Sequence, residues 1–95
     1  MKRQGDLLIV KVNPIPTDAV KRESRILVEG EATGHMHKLT GGEVYEKGDT
    51  LYFKVSDEAV TLEHPEHRAL TFEPGIYKVI RQREYEPAGW RYVAD

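Results

Sequence analysis

The 95-residue chain has no cysteine, which excludes disulfide staples, thiolate nucleophiles and every cysteine-ligated zinc or iron-sulfur centre. Any metal would have to be held by histidine and carboxylate alone. Long apolar runs are missing too. The first, Leu7 to Val10, stops at Lys11. It is too short for a signal-peptide core or a membrane span, so the expectation is a cytoplasmic chain without membrane contact. No Gly-x-Ser-x-Gly elbow, phosphate-cradling glycine loop or dinucleotide fingerprint occurs, and no residue is given a catalytic role. No segment sustains a helical apolar period.

What is present is a polar-surfaced globular composition, 39% hydrophobic and 32% charged. A chain of this length suits one domain, residues 1–95, burying on the order of 60 to 65% of its unfolded surface. The net charge of -2 is unevenly spread: residues 1–25 carry six basic and three acidic side chains, 26–75 four and ten, and 76–95 four and three. The acidic middle argues against a dedicated nucleic-acid binder, whose affinity rests on neutralising phosphates.

Short β-branched and aromatic stretches alternate with turn residues about every eight to twelve positions, the pattern of an all-β small barrel or two-sheet sandwich of about six to eight short strands. Leu7–Val12 is the first strand, closed by Pro14 and Pro16. Residues 17–23 read as a connection with at most one helical turn near Asp18. Ser24–Glu29 and His35–Leu39 follow, with Gly30 and Gly34 marking a bulge or close backbone approach. Lys47-Gly48-Asp49-Thr50 is a hairpin loop joining Glu43–Glu46 to Leu51–Val55, with Leu51, Phe53 and Val55 on the buried face. Ala59–Leu62 is a further strand. Pro74-Gly75 suits a type II turn between Ala69–Phe72 and Ile76–Ile80, a hairpin-like pair whose last strand runs on through Gln82 to Tyr85.

Two groups of residues carry chemistry. All four histidines lie in two pairs, His35 with His37 and His64 with His67. A spacing of two on a strand puts His35 and His37 on one face, whereas His64 and His67 flank the Pro65-Glu66 turn. If the pairs meet, the four imidazoles form a candidate site for a divalent transition metal, with Glu43, Glu63 or Glu66 as the added carboxylate. The alternative is four histidines that satisfy backbone groups and share no ligand. The second group is Arg81, Arg83 and Tyr85 on one strand face, followed by Trp90, Arg91 and Tyr92. Arginine beside aromatic rings makes a protein-interface anchor and equally a grip for single-stranded nucleic acid.

Two resemblances follow from these motifs. Gly30 to Gly48, with His35-Met36-His37 and then Glu43, resembles the first motif of the cupin superfamily, small β-barrels that hold a metal through His-x-His, Glu and a later His. That resemblance implies His35 and His37 as ligands and offers Glu43. Gly5-Asp6-Leu7-Leu8, Gly30-Glu31-Ala32-Thr33-Gly34-His35-Met36-His37, Glu66-His67 and Pro74-Gly75-Ile76-Tyr77-Lys78-Val79-Ile80-Arg81-Gln82-Arg83-Glu84-Tyr85 resemble a family of small uncharacterised bacterial and phage-associated proteins. It implies that the histidines and the Arg-Gln-Arg-Glu-Tyr segment belong to the family pattern.

Three functions are therefore expected in order: a non-enzymatic interaction or assembly module, with a protein partner or a second copy of itself; a cupin-like metal-binding protein or enzyme; and a single-stranded nucleic-acid binder.

Overall fold

The computed structural model describes residues 1–29, 35–81, 83–86 and 89–92. The described residues form strands and no helix, so none is long and apolar enough to cross a membrane. The strands are β1 (Lys2–Gln4), β2 (Leu7–Val12), β3 (Val20–Arg22), β4 (Ile26–Glu29), β5 (Met36–Leu39), β6 (Glu43–Lys47), β7 (Thr50–Val55), β8 (Val60–His64), β9 (His67–Phe72), β10 (Gly75–Arg81), β11 (Arg83–Glu86) and β12 (Gly89–Tyr92). Twelve strands replace the six to eight expected, because three-residue strands such as β1 and β3 are shorter than any apolar pattern can signal.

Ten of them build two antiparallel sheets, one in the order β1-β2-β10-β7-β6-β3 and one in the order β4-β5-β8-β9. Neither closes into a barrel, and the architecture is that of a two-sheet sandwich. β11 and β12 pair separately as a two-stranded ribbon.

The β6–β7 hairpin follows its sequence pattern. Lys47 pairs with Thr50 across Gly48-Asp49, and Gly48 adopts φ 58°, the left-handed backbone that a two-residue hairpin turn demands at its first central position. Phe53 and Val55 face the core, Leu51 packs partly buried against it, and Lys54 faces solvent. The β1–β2 hairpin uses the same device: Gln4 pairs with Leu7 across Gly5-Asp6, with Gly5 at φ 57°.

Three expectations change. Residues 17–23 supply the edge strand β3 after a turn at Thr17-Asp18, since Val20, Lys21 and Arg22 pair with β6. Pro74-Gly75 does not close a hairpin: β9 belongs to the four-stranded sheet and β10 to the other, so this connection crosses between layers. The strand expected to run on to Tyr85 ends at Arg81, and Arg83–Glu86 pairs with β12 instead. The bulge expected over Gly30–Gly34 lies outside the described residues.

The core forms between the sheets from inward positions of both, led by Leu7, Ile9, Leu39, Val44, Phe53, Leu62 and Phe72. Phe53, Phe72 and Tyr77 pack as a trio with ring centroids 5.0 to 5.3 Å apart, a spacing at which aromatic pairs add to simple burial. Tyr77 solves its polar end by donating its hydroxyl to Glu73 O at 2.7 Å. Burial first, and then the Glu73 carboxylate, push the Tyr77 phenol above its ordinary range. Above about pH 10 the unfolded chain therefore ionises this tyrosine before the fold does, and stability is lost as pH rises through that window. Tyr77→Phe is expected to lose roughly 0.5 to 1.5 kcal/mol at neutral pH and to flatten the alkaline loss. Urea denaturation at pH 8 and pH 11 checks both.

Candidate functional site

The two histidine pairs meet. Lys38 pairs with Glu63 and Leu39 with Leu62 across β5 and β8, so the same ladder continued by one residue sets His37 opposite His64. His64 in turn pairs with His67 across β8 and β9. Three histidines thus form a row across three neighbouring strands, with ring centroids 4.4 Å (His37 to His64) and 4.5 Å (His64 to His67) apart, close to the natural strand spacing. His35 joins from the residue before β5, 5.6 Å from the His64 ring. The row continues the inward face that carries Leu39 and Leu62, so it caps one end of the hydrophobic core. His37 and His64 are buried.

The opposite sheet completes the cluster. Gln4 at the end of β1 is 2% exposed, and its amide nitrogen donates to Leu62 O and Arg68 O, both at 2.9 Å. Those carbonyls flank the register shift between Leu62 and His64, where a bulge interrupts the β8–β9 ladder. With both amide hydrogens committed to carbonyls, the oxygen of Gln4 faces His37 Nδ1 at 2.8 Å and can only accept. His37 therefore carries its proton on Nδ1. Asp6, in the β1–β2 turn and also buried, sits 3.7 Å from His37 Nε2 and receives Arg81 Nε at 2.8 Å.

The rings of His64 and His35 are equally committed. Glu66 N–H donates to His64 Nδ1 at 3.0 Å, which leaves the His64 proton on Nε2. His35 Nδ1 donates to the Glu66 carboxylate at 2.9 Å.

These commitments bear directly on the metal expectation. A ligating histidine offers a lone pair from one nitrogen and keeps a proton on the other. His64 cannot do so at Nε2 while its Nδ1 accepts the Glu66 N–H. Among the described residues, no group of three or more His, Cys, Asp or Glu is placed to hold a metal ion. Of the three carboxylates considered, only Glu66 reaches the cluster. Glu43 instead pairs with Lys21 on β3 at 2.9 Å, and Glu63 faces solvent.

The arginine-aromatic group divides. Arg81 ends β10 and is tied to Asp6 beside the histidines. The other five residues lie on the ribbon, where Arg83 pairs with Tyr92, Glu84 with Arg91, and Tyr85 with Trp90. Sequence reasoning missed Gln4 and Asp6 as partners of the histidines, although the Gly5-Asp6 turn carries the same signal as Gly48-Asp49.

A family model described as a domain of unknown function, DUF8820, matches residues 3–82. The chain belongs to this family. The matched span contains both sheets of the DUF8820 sandwich and all four histidines, and it stops short of the ribbon. No curated protein and no solved structure matches the chain.

Gln4→Leu keeps the side chain's bulk and removes three hydrogen bonds at once, leaving Leu62 O, Arg68 O and His37 Nδ1 to find other partners. It is expected to cost on the order of 3 kcal/mol. Chemical denaturation at pH 8 measures it, and a cost below about 1 kcal/mol would mean that the sheets are held elsewhere.

Proposed function

We propose that this chain is a non-enzymatic assembly module whose β11–β12 ribbon docks on a second copy of the chain. The observation that carries the reading is the cross-strand register of Tyr85 with Trp90 and Arg83 with Tyr92 on a ribbon separate from both sheets. A two-stranded ribbon is marginal in water by itself and gains stability when one face is covered. Tyrosine, tryptophan and arginine are the residues that anchor such contacts. The ribbon strands also carry two arginines and two glutamates, Arg83, Arg91, Glu84 and Glu86, so a second ribbon is complementary in charge. The bacterial and phage-associated resemblance of the sequence suits a module of this kind. Single-stranded nucleic acid would use the same face, and the net charge of -2 weighs against it.

Sedimentation of the full chain over a range of concentrations tests the proposal against a Tyr85→Ser, Trp90→Ser double variant. The parent is expected to dimerise and the variant to do so at least about tenfold more weakly, with its melting temperature nearly unchanged. A parent that stays monomeric, or a variant that associates equally well, contradicts it. Salt-sensitive binding of a mixed-sequence single-stranded oligonucleotide by a monomeric parent would replace it with the nucleic-acid reading.

A further inference from the structure

The two sheets turn different faces to solvent. On the four-stranded sheet the outward positions pair as polar couples, Lys38 with Glu63 and Thr61 with Thr71, the ordinary arrangement for an antiparallel sheet with one wet face. The six-stranded sheet departs from it. Leu7, Ile9, Tyr77 and Val79 of β2 and β10 face the core, so alternation puts Leu8, Val10, Val12, Ile76, Lys78 and Ile80 on the outward face. The register sets them side by side: Leu8 opposite Ile80, Val10 opposite Lys78 and Val12 opposite Ile76. Five aliphatic side chains thus surround one lysine on two adjacent strands, and all six are partly exposed.

Charge around this strip has one sign. The neighbouring strands β1, β2, β10 and β7 contain no aspartate or glutamate. Arg3 stands opposite Leu8, Lys78 opposite Val10 and Lys54 opposite Ile76, so each cross-strand row carries a cation. Glu43 of β6 follows Lys54 across the sheet, but Lys21 already holds its carboxylate at 2.9 Å. Two copies stacked on this face would set cations against cations. An acidic partner fits instead. From Leu8 to Val12 the strip runs about 13 Å at the ordinary rise of a strand, the length of roughly nine residues of helix, and two strands are about as wide as one helix. None of the five aliphatic side chains projects far from the sheet, whereas a bilayer takes up apolar groups that reach well into it.

We propose that the outward face of β2 and β10 is a docking surface for an acidic amphipathic helix of a partner protein. The apolar stripe of that helix lies on Leu8, Val10, Val12, Ile76 and Ile80, and its carboxylates meet Arg3, Lys54 and Lys78. Stripes of this kind recur at i, i+3, i+4 and i+7 on the helix. Their burial supplies affinity, while the cations select the sign of the partner. The surface belongs to other strands than the ribbon, and the inference does not rest on the self-association proposed above.

Titration of the full, isotopically labelled chain with a synthetic helical peptide of about 18 residues, leucines on one face and glutamates on both flanks, tests this. The amide resonances of Val10 and Lys78 are expected to move and those of Lys38 and Glu63 to stay. Lys78→Glu is expected to weaken binding at least about tenfold, and Lys38→Glu on the other sheet to leave it unchanged. The same peptide with lysine in place of glutamate is expected to bind the parent at least about tenfold more weakly. Should Lys78→Glu not fold, the resonance map of the parent and the comparison of the two peptides decide. No binding, equal binding of both peptides, resonance changes confined to other strands, or undiminished affinity in Lys78→Glu overturns the proposal. Binding of phosphatidylserine vesicles and not of the peptide overturns it in favour of a membrane surface. Dimerisation of the parent that Lys78→Glu abolishes and the Tyr85→Ser, Trp90→Ser variant keeps overturns it in favour of a second copy on this face.

Discussion

The buried amide of Gln4 ties one sheet to the other, and the geometry of the histidine cluster depends on it. Its nitrogen holds two carbonyls beside the β8–β9 bulge, and its oxygen fixes the proton of His37. An amide buried in this way costs several kcal/mol unless its hydrogen bonds are made, and the three contacts offset that cost. They orient the face on which His37, His64 and His67 line up. Lys2 adds a second tie, reaching Thr71 O and lying 5.1 Å over the Phe72 ring.

The same kind of bond sets the tautomers of the neighbouring imidazoles. Each of His35, His37 and His64 has its Nδ1 committed to a carboxylate, an amide oxygen or a main-chain N–H. Charge is handled internally as well: Asp6 is out of water but meets Arg81, and a buried carboxylate without such a partner would be strongly unfavourable. The result is a polar end to an otherwise apolar core.

Much of the sandwich was legible in the sequence where local chemistry decides it. The β6–β7 hairpin follows from Gly48-Asp49 and the alternation of Leu51, Phe53 and Val55, since turn geometry fixes register. The identical Gly5-Asp6 turn was passed over because only three residues precede it in strand form, too few to show a period. What joins β9 to β10 is a decision between layers, made by core packing at Phe72 and Tyr77 and not by Pro74-Gly75. The pairing of His64 with His67 is local, and so is the spacing of His35 and His37. Their meeting rests on the long-range register of β5 with β8, which no local pattern encodes. Arg81 could not be separated from Arg83 for a similar reason, because its partner Asp6 is 75 residues away.

The central claim is that the histidines are locked by hydrogen bonds into different tautomers. Imidazole nitrogen shifts from long-range proton-nitrogen correlation spectra at pH 8 measure this most directly. The account predicts His37 protonated at Nδ1 and His64 protonated at Nε2, each as a single fixed form. A His64 ring with its proton on Nδ1, or averaging between the two forms at both residues, would contradict it.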